Sequence, residues 1–183
     1  MSVMELIEVL DDKGHATGIA RERDLVHRNG DLHRTVHIWI VNSLNQLLLQ
    51  RRAEDKETNP GLWDLSCAGH IVHGETSLEA AVKEIAEELG VWVTASDLRY
   101  VFSSRSLQSH QNGRLIDNEI RDVYLVQKDI PLGDFKVQVE EVAEIAYLPL
   151  SDFCRKVRNR DKDLVPHYDE FETMCRYLLP SCV

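Results

Sequence analysis

Glu84, Glu87 and Glu88 fall within the eight-residue stretch KEIAEELG, residues 83–90. In a helix they occupy positions i, i+3 and i+4, so their side chains converge on one face. Like charges at that spacing weaken a helix slightly. The arrangement is therefore either a solvated face or a site for a hard cation. Carboxylates one turn apart can hold Mg²⁺ or Mn²⁺ and leave positions open for phosphate oxygens. Hydrolysis of a diphosphate needs both the neutralised charge and the activated water that such an ion supplies. By itself the triplet reads as a solvated face, and the flanking residues must decide.

Gly69 is followed after five residues by Glu75, and after seven more by Lys83-Glu84-Ile85-Ala86-Glu87-Glu88-Leu89-Gly90-Val91. This stretch resembles the Nudix box: Gly, five residues, Glu, seven residues, Arg-Glu, an aliphatic, any residue, Glu-Glu, any residue, Gly, an aliphatic. Residues 69–91 match every fixed position except one, where Lys83 replaces the family's Arg. The resemblance implies that Glu84, Glu87 and Glu88 bind the metal, Mg²⁺ or Mn²⁺, and that Gly69, Glu75 and Lys83 support them. Arg can grip a carboxylate with two parallel hydrogen bonds, whereas Lys offers one point charge, so a looser site with reduced activity is expected. The general base is assigned to Glu87, with Glu119 as the alternative.

Beyond the box, "LHRTVHIWIVN", "LLLQRRAEDK", "NPGLWDLSCAGH" and "DNEI" resemble the branch that contains the type 1 isopentenyl-diphosphate isomerases. That resemblance covers most of residues 5–150. It implies a second metal site at His33, His70, Asp117 and Glu119, with His27 matching after a one-residue gap. It also implies diphosphate binding by Arg52 and Lys56. Each has a bland reading too: a polar strand-edge histidine, strand-end charges at Arg51 and Arg52, turn chemistry in "DNEI". Two departures argue against isomerisation. The isomerase's cysteine stands immediately before the Gly-His pair, where this chain has Ala68; Cys67 lies one residue earlier, which on a strand is the opposite face. The isomerase's box is eroded, whereas all three glutamates are present here. The expected function is metal-dependent hydrolysis of a diphosphate linkage in a small molecule, such as a nucleoside diphosphate joined to another moiety. An isomerase-type enzyme is the first alternative and a non-catalytic Nudix ligand-binding module the second.

The surrounding elements must position these residues. "ELIEVL" and "HATGIA", separated by the turn residues "DDKG", predict a hairpin, and "RERDLVHRNG" a short connector ending at Gly30. "TVHIWIVN", "QLLLQRR", "LWDLSCAG", "LRYVFSSRSL", "EIRDVYLVQ" and "EVAEIAYLPL" predict strands. Thr76 with Glu79 forms a capping-box signature, Leu78, Ala81, Val82, Ile85 and Leu89 make one apolar stripe, and Gly90 stands where a terminating glycine belongs. "SDFCRKVRNR" and "YDEFETMCRYLL" predict two further helices. The expected fold is α/β (α+β), a Nudix-type α/β/α sandwich with a mixed sheet and an N-terminal β-hairpin extension. The expected organisation is one domain over 1–183, with the extension at 1–34, the core at 35–150 and C-terminal helices at 151–183.

The 183 residues are 43% hydrophobic and 28% charged, which suits one domain with a sizeable core, and the net charge of −10 gives no reason to expect a nucleic-acid or membrane partner. The basic run at 155–162 reads as a solvated helix end. Cys67, Cys154, Cys175 and Cys182 show no CxxC spacing, so a zinc or disulfide framework is not expected. Trp39, Trp63 and Trp92 are expected in the core. The opening residues lack the basic and apolar regions of a signal peptide, and a cytoplasmic location with a small-molecule diphosphate partner is expected. A homodimer is compatible with the sequence.

Overall fold

The computed structural model describes residues 5–180; Cys182 and the opening four residues of the expected extension lie outside them. Strands β1 (Leu6–Leu10) and β2 (Ala16–Glu22) form the hairpin, and helix α1 (Arg23–Asn29) ends at Gly30, whose φ of 68° is left-handed. Then follow β3 (His33–Val41), β4 (Gln46–Arg52), β5 (Trp63–Asp64), β6 (Cys67–His70), α2 (Ser77–Leu89), β7 (Leu98–His110), β8 (Leu115–Gln127), β9 (Val142–Pro149), α3 (Leu150–Arg158) and α4 (Tyr168–Leu178).

The order β5-β4-β3-β8-β7 runs across one mixed sheet, with β6 pairing β3 and β9 pairing β4. Strands β3 and β8 are parallel, and the other pairs are antiparallel. Parallel neighbours buried on both faces explain why β3 reads as an apolar run. Its side chains alternate between two cores. Val36, Ile38 and Ile40 face α2, packing with Ala81, Ile85 and Leu89. Trp39 and Val41 face the C-terminal helices, packing with Phe153 and Phe171. The result is an α/β/α sandwich, as expected.

Four expectations need correction. "LWDLSCAG" is two short strands, because Leu65 and Ser66 interrupt the pairing. "DNEI" is not a turn before a strand but lies inside β8, where Asp117 pairs with Gln108 and Glu119 with Ser106. Cys154 and Cys175 form a disulfide that ties α3 to α4, with Cα atoms 5.7 Å apart; the pair is close in space across the helix hairpin and unmarked in spacing. Trp92 is 85% exposed: it sits between Val91 and Val93, which take the inward positions of an extended segment.

Candidate active site

Helix α2 sets the acidic side of the site. Thr76 caps it: its hydroxyl accepts from the Glu79 N–H at 3.3 Å, and the Glu79 carboxylate accepts from the Thr76 N–H at 2.9 Å. With Ala81, Ile85 and Leu89 locked into the core, Glu84 and Glu88 are carried to its margin and Glu87 to solvent. Gly69 on β6 faces the helix so closely that a Cβ there would collide with the Glu84 carboxylate. This explains the glycine that opens the motif.

Burial, followed by repulsion from Glu88, pushes Glu84 up to about 8; burial, with Glu141 adding repulsion, pushes Glu88 up to about 7. The two carboxyls therefore share a space that disfavours their charge, which is the condition a cation would relieve. Lys83 Nζ lies 3.5 Å from Glu75 Oε1. Its partial burial opposes the charge, but Glu75, Glu87 and Glu84 outweigh it and hold the ammonium above its ordinary value.

The three glutamates open into a cavity of about 640 Å³, which Gly69, His70, Arg52, Lys56, Asp117 and Glu119 also line. Arg52, at the end of β4, is held in a fixed pose: Nη1 is 3.4 Å from Asp64 Oδ2, Nε donates to Thr58 O at 3.0 Å, and Nη2 to Thr58 Oγ1 at 3.1 Å. Lys56 is ion-paired with Glu141. Arg51, one residue earlier, turns to the other face, towards Glu54 and Glu144. Ala68 lines the cavity; Cys67 is fully buried in the core beneath α2, against Glu88, and burial raises its thiol well above the usual range.

A second cluster lies where α1, β3 and β6 meet. Ligand-capable atoms of His27, His33 and His70 lie within 4.8 Å of one another. His27 Nδ1 donates to Arg23 O at 2.8 Å and His33 Nδ1 to Asp31 O at 2.9 Å. A carbonyl only accepts, so in the neutral form of either ring the lone pair sits on Nε2, which faces inwards. His33 Nε2 is buried without a hydrogen-bond partner, 4.0 Å from Glu119 Oε1, and His27 Nε2 is 3.1 Å from His70 Nε2 and 3.6 Å from Asp117 Oδ1. Burial lowers the pKa of His33 and His70, so these rings are neutral, the state a metal ligand requires. Burial and the neighbouring Glu119 raise Asp117. Burial would raise Glu119 too, but the Arg121 guanidinium bonded to it holds it below its usual value.

Sequence reasoning missed His110, whose Nε2 lies 3.1 Å from Asp117 Oδ2, and the buried Arg121, whose Nε donates to Glu119 Oε2 at 2.8 Å. The alternation of Asp117, Glu119 and Arg121 along β8 marks them as one face. Nothing in the spacing points to His167, which enters the cavity wall from just before α4.

The chain matches the NUDIX domain family over residues 31–168. It is 42% identical over 166 residues to "Nudix hydrolase 3" of Arabidopsis thaliana, a match that spans 89% of this chain and 22% of that protein's length. It is 32% identical over 157 residues to the isopentenyl-diphosphate Delta-isomerase of Pectobacterium atrosepticum, spanning 84% of this chain and 83% of that one. In fold it is similar to the crystal structure of DR0079 from Deinococcus radiodurans, with a TM-score of 0.73 at 20% identity over 92% of this chain and 98% of that one.

Proposed function

The chain belongs to the Nudix family, and from that premise we propose that it is a metal-dependent hydrolase cleaving a diphosphate linkage in a small molecule, a nucleoside diphosphate joined to another moiety or a related diphosphate. The observation that supports this most is the convergence of Glu84, Glu87 and Glu88 with Arg52 and Lys56 on one polar cavity.

The donor set fits a hard divalent cation: carboxyl oxygens, with the Glu84 and Glu88 carboxyls raised in pKa by burial and then by neighbouring carboxylates. Glu84, Glu87 and Glu88 would hold Mg²⁺ or Mn²⁺, which when bound neutralises phosphate charge and acidifies a coordinated water. Arg52, already pinned by Asp64 and Thr58, presents its guanidinium to phosphate oxygens without needing to be ordered at the moment of binding. Lys56 adds a second cation on the same side. Lys83 restrains Glu75, the upstream glutamate of the box.

Glu87 is the stronger candidate for the base that takes a proton from the attacking water. It is exposed to the cavity and accepts no hydrogen bond from the described residues, whereas Glu119 is committed to Arg121. His33 and His70, joined by His27, with Asp117 and Glu119, would hold a second metal ion.

That histidine cluster favours the isomerase-type reading as the second one. Against it stand Ala68 in the cavity wall, which cannot give a proton, and the character of the wall itself. Ala68 and Leu115 are the only apolar side chains among its described lining residues. A hydrocarbon gains about 0.8 kcal/mol per buried CH₂ only where apolar groups receive it. A non-catalytic module is the third reading, and Lys83 is the feature behind it.

A screen for phosphate-bearing products over nucleoside diphosphates, nucleoside triphosphates, dinucleotides, sugar nucleotides and prenyl diphosphates tests the proposal. Cleavage of at least one class at a phosphorus–oxygen bond is expected; tight binding of every class without turnover would leave the binding module instead.

A further inference from the structure

His167 is locked in one tautomer. Its Nδ1 lies 3.1 Å from Arg121 Nη1 and 3.4 Å from the side-chain Nε2 of Gln108. A guanidinium has donors and no acceptor, so Nδ1 must present its lone pair and the proton of the neutral ring resides on Nε2. Arg121 is fixed in turn, 3% exposed and bonded to Glu119. The ring is clamped by Phe171, edge to face with centroids 5.8 Å apart, and by His37 at 5.4 Å. His37 is itself held by Glu170 of α4, 3.0 Å from its Nδ1, and that carboxylate also accepts the Trp39 indole N–H at 3.2 Å. Burial, then the charge of Arg121, keeps the imidazole well below its usual pKa. Among the described residues Nε2 meets no hydrogen-bond partner, while the side chain lines the cavity shared with the box glutamates and Arg52.

We propose that His167 is a specificity-determining residue: its fixed Nε2–H donates to an oxygen or nitrogen acceptor on the moiety attached to the diphosphate, selecting sugar- or nucleoside-bearing substrates over hydrocarbon ones. The proposal rests on the hydrolase reading for its substrate class. A preset donor loses little freedom on binding, and a site built around a donor rejects a ligand that leaves it unpaired. The polar lining points the same way, since a hydrocarbon moiety would have to displace water from charged walls without an apolar surface to receive it.

The experiment has two arms. In the first, long-range proton–nitrogen NMR correlations on ¹⁵N-histidine-labelled protein read the tautomer of the resting protein. Nε2–H is expected, with its proton moving downfield when a methylene-bridged, uncleavable nucleoside-diphosphate sugar binds. In the second, kcat/KM is measured for a nucleoside-diphosphate sugar and for a prenyl diphosphate. The ratio between them should fall by about 10–100-fold in His167→Phe, which keeps a ring and loses the donor, and recover substantially in His167→Gln.

Failure of the wild-type protein to cleave either compound would count against the hydrolase reading, and the NMR arm, which needs no turnover, would still decide the role of His167. An Nδ1–H tautomer, an Nε2 proton unmoved by the analogue, or a ratio unchanged in the Phe variant would each overturn it.

Discussion

At the scale of single residues, the box glutamates make the sharpest claims. Glu87→Gln and Glu88→Gln should each lower turnover by about 10²-fold or more, because each removes a preorganised charge-stabilising group; near-normal rates in purified Glu88→Gln protein would refute the metal assignment. Lys83→Arg should preserve or raise turnover and Lys83→Ala should lower it, since the lysine restrains Glu75 with one contact at 3.5 Å. A neutral Ala variant in both rate and metal affinity would remove the orienting role. The raised carboxyls also set a pH dependence. Glu84 at about 8 and Glu88 at about 7, against an ordinary 4.5, mean that the folded chain binds protons more tightly than the unfolded one. Without metal, stability should therefore fall as pH rises through this window. Glu87, Lys83 and Glu5 face Glu84, and Cys67, Glu141, Lys56 and Gln50 face Glu88. Buried neutral His33, His70 and His167 act in the opposite sense below their ordinary 6.5, so thermal midpoints are compared between pH 7 and 8.5. The metal-free midpoint should drop across that interval and Mg²⁺ should raise it more at pH 8.5; a metal-free midpoint that rises would contradict the crowded-carboxylate picture.

At the scale of elements, the site depends on two anchors. The capping box fixes the start of α2 and hence the phase in which its glutamates emerge. Thr76→Ala should lower the thermal midpoint by about 2–4 °C, measured by circular dichroism. The Cys154–Cys175 bond ties α3 to the helix that carries Glu170. Reduction, or Cys154→Ser, should lower stability by about 3 kcal/mol in denaturant titration, and an unchanged midpoint would mean the link adds nothing to the packing of Phe153 against Phe171. The two anchors differ in how they could be read beforehand. Thr76, Glu79 and Gly90 act within one helix, and the alternation of Val36, Ile38 and Ile40 acts within one strand, so local pattern reveals both. The disulfide, the pairing of β3 with β8, and the arrival of His167 at the cavity join residues far apart in the chain. Such contacts leave no mark in local spacing, just as the outward turn of Trp92 between two inward valines overrides its apolar character.

At the scale of the whole molecule, the sandwich lays α2 against one face of the sheet and α3 with α4 against the other, and the catalytic choice turns on what lines the cavity. Isopentenyl diphosphate incubated with the protein and metal in deuterated water should show no exchange at its allylic carbons, because Ala68 stands in the wall and Cys67 is buried under α2. Exchange that disappears in Cys67→Ala would place the chain with isomerases. The measurement that tests the central claim most directly is hydrolysis of the best substrate of the screen in ¹⁸O-labelled water, followed by mass spectrometry of the phosphate products. With Mg²⁺, the account predicts one labelled oxygen on a phosphorus per turnover, no turnover in excess chelator, and restoration when the metal is returned. Unabated turnover in excess chelator, or products formed without label, would contradict it.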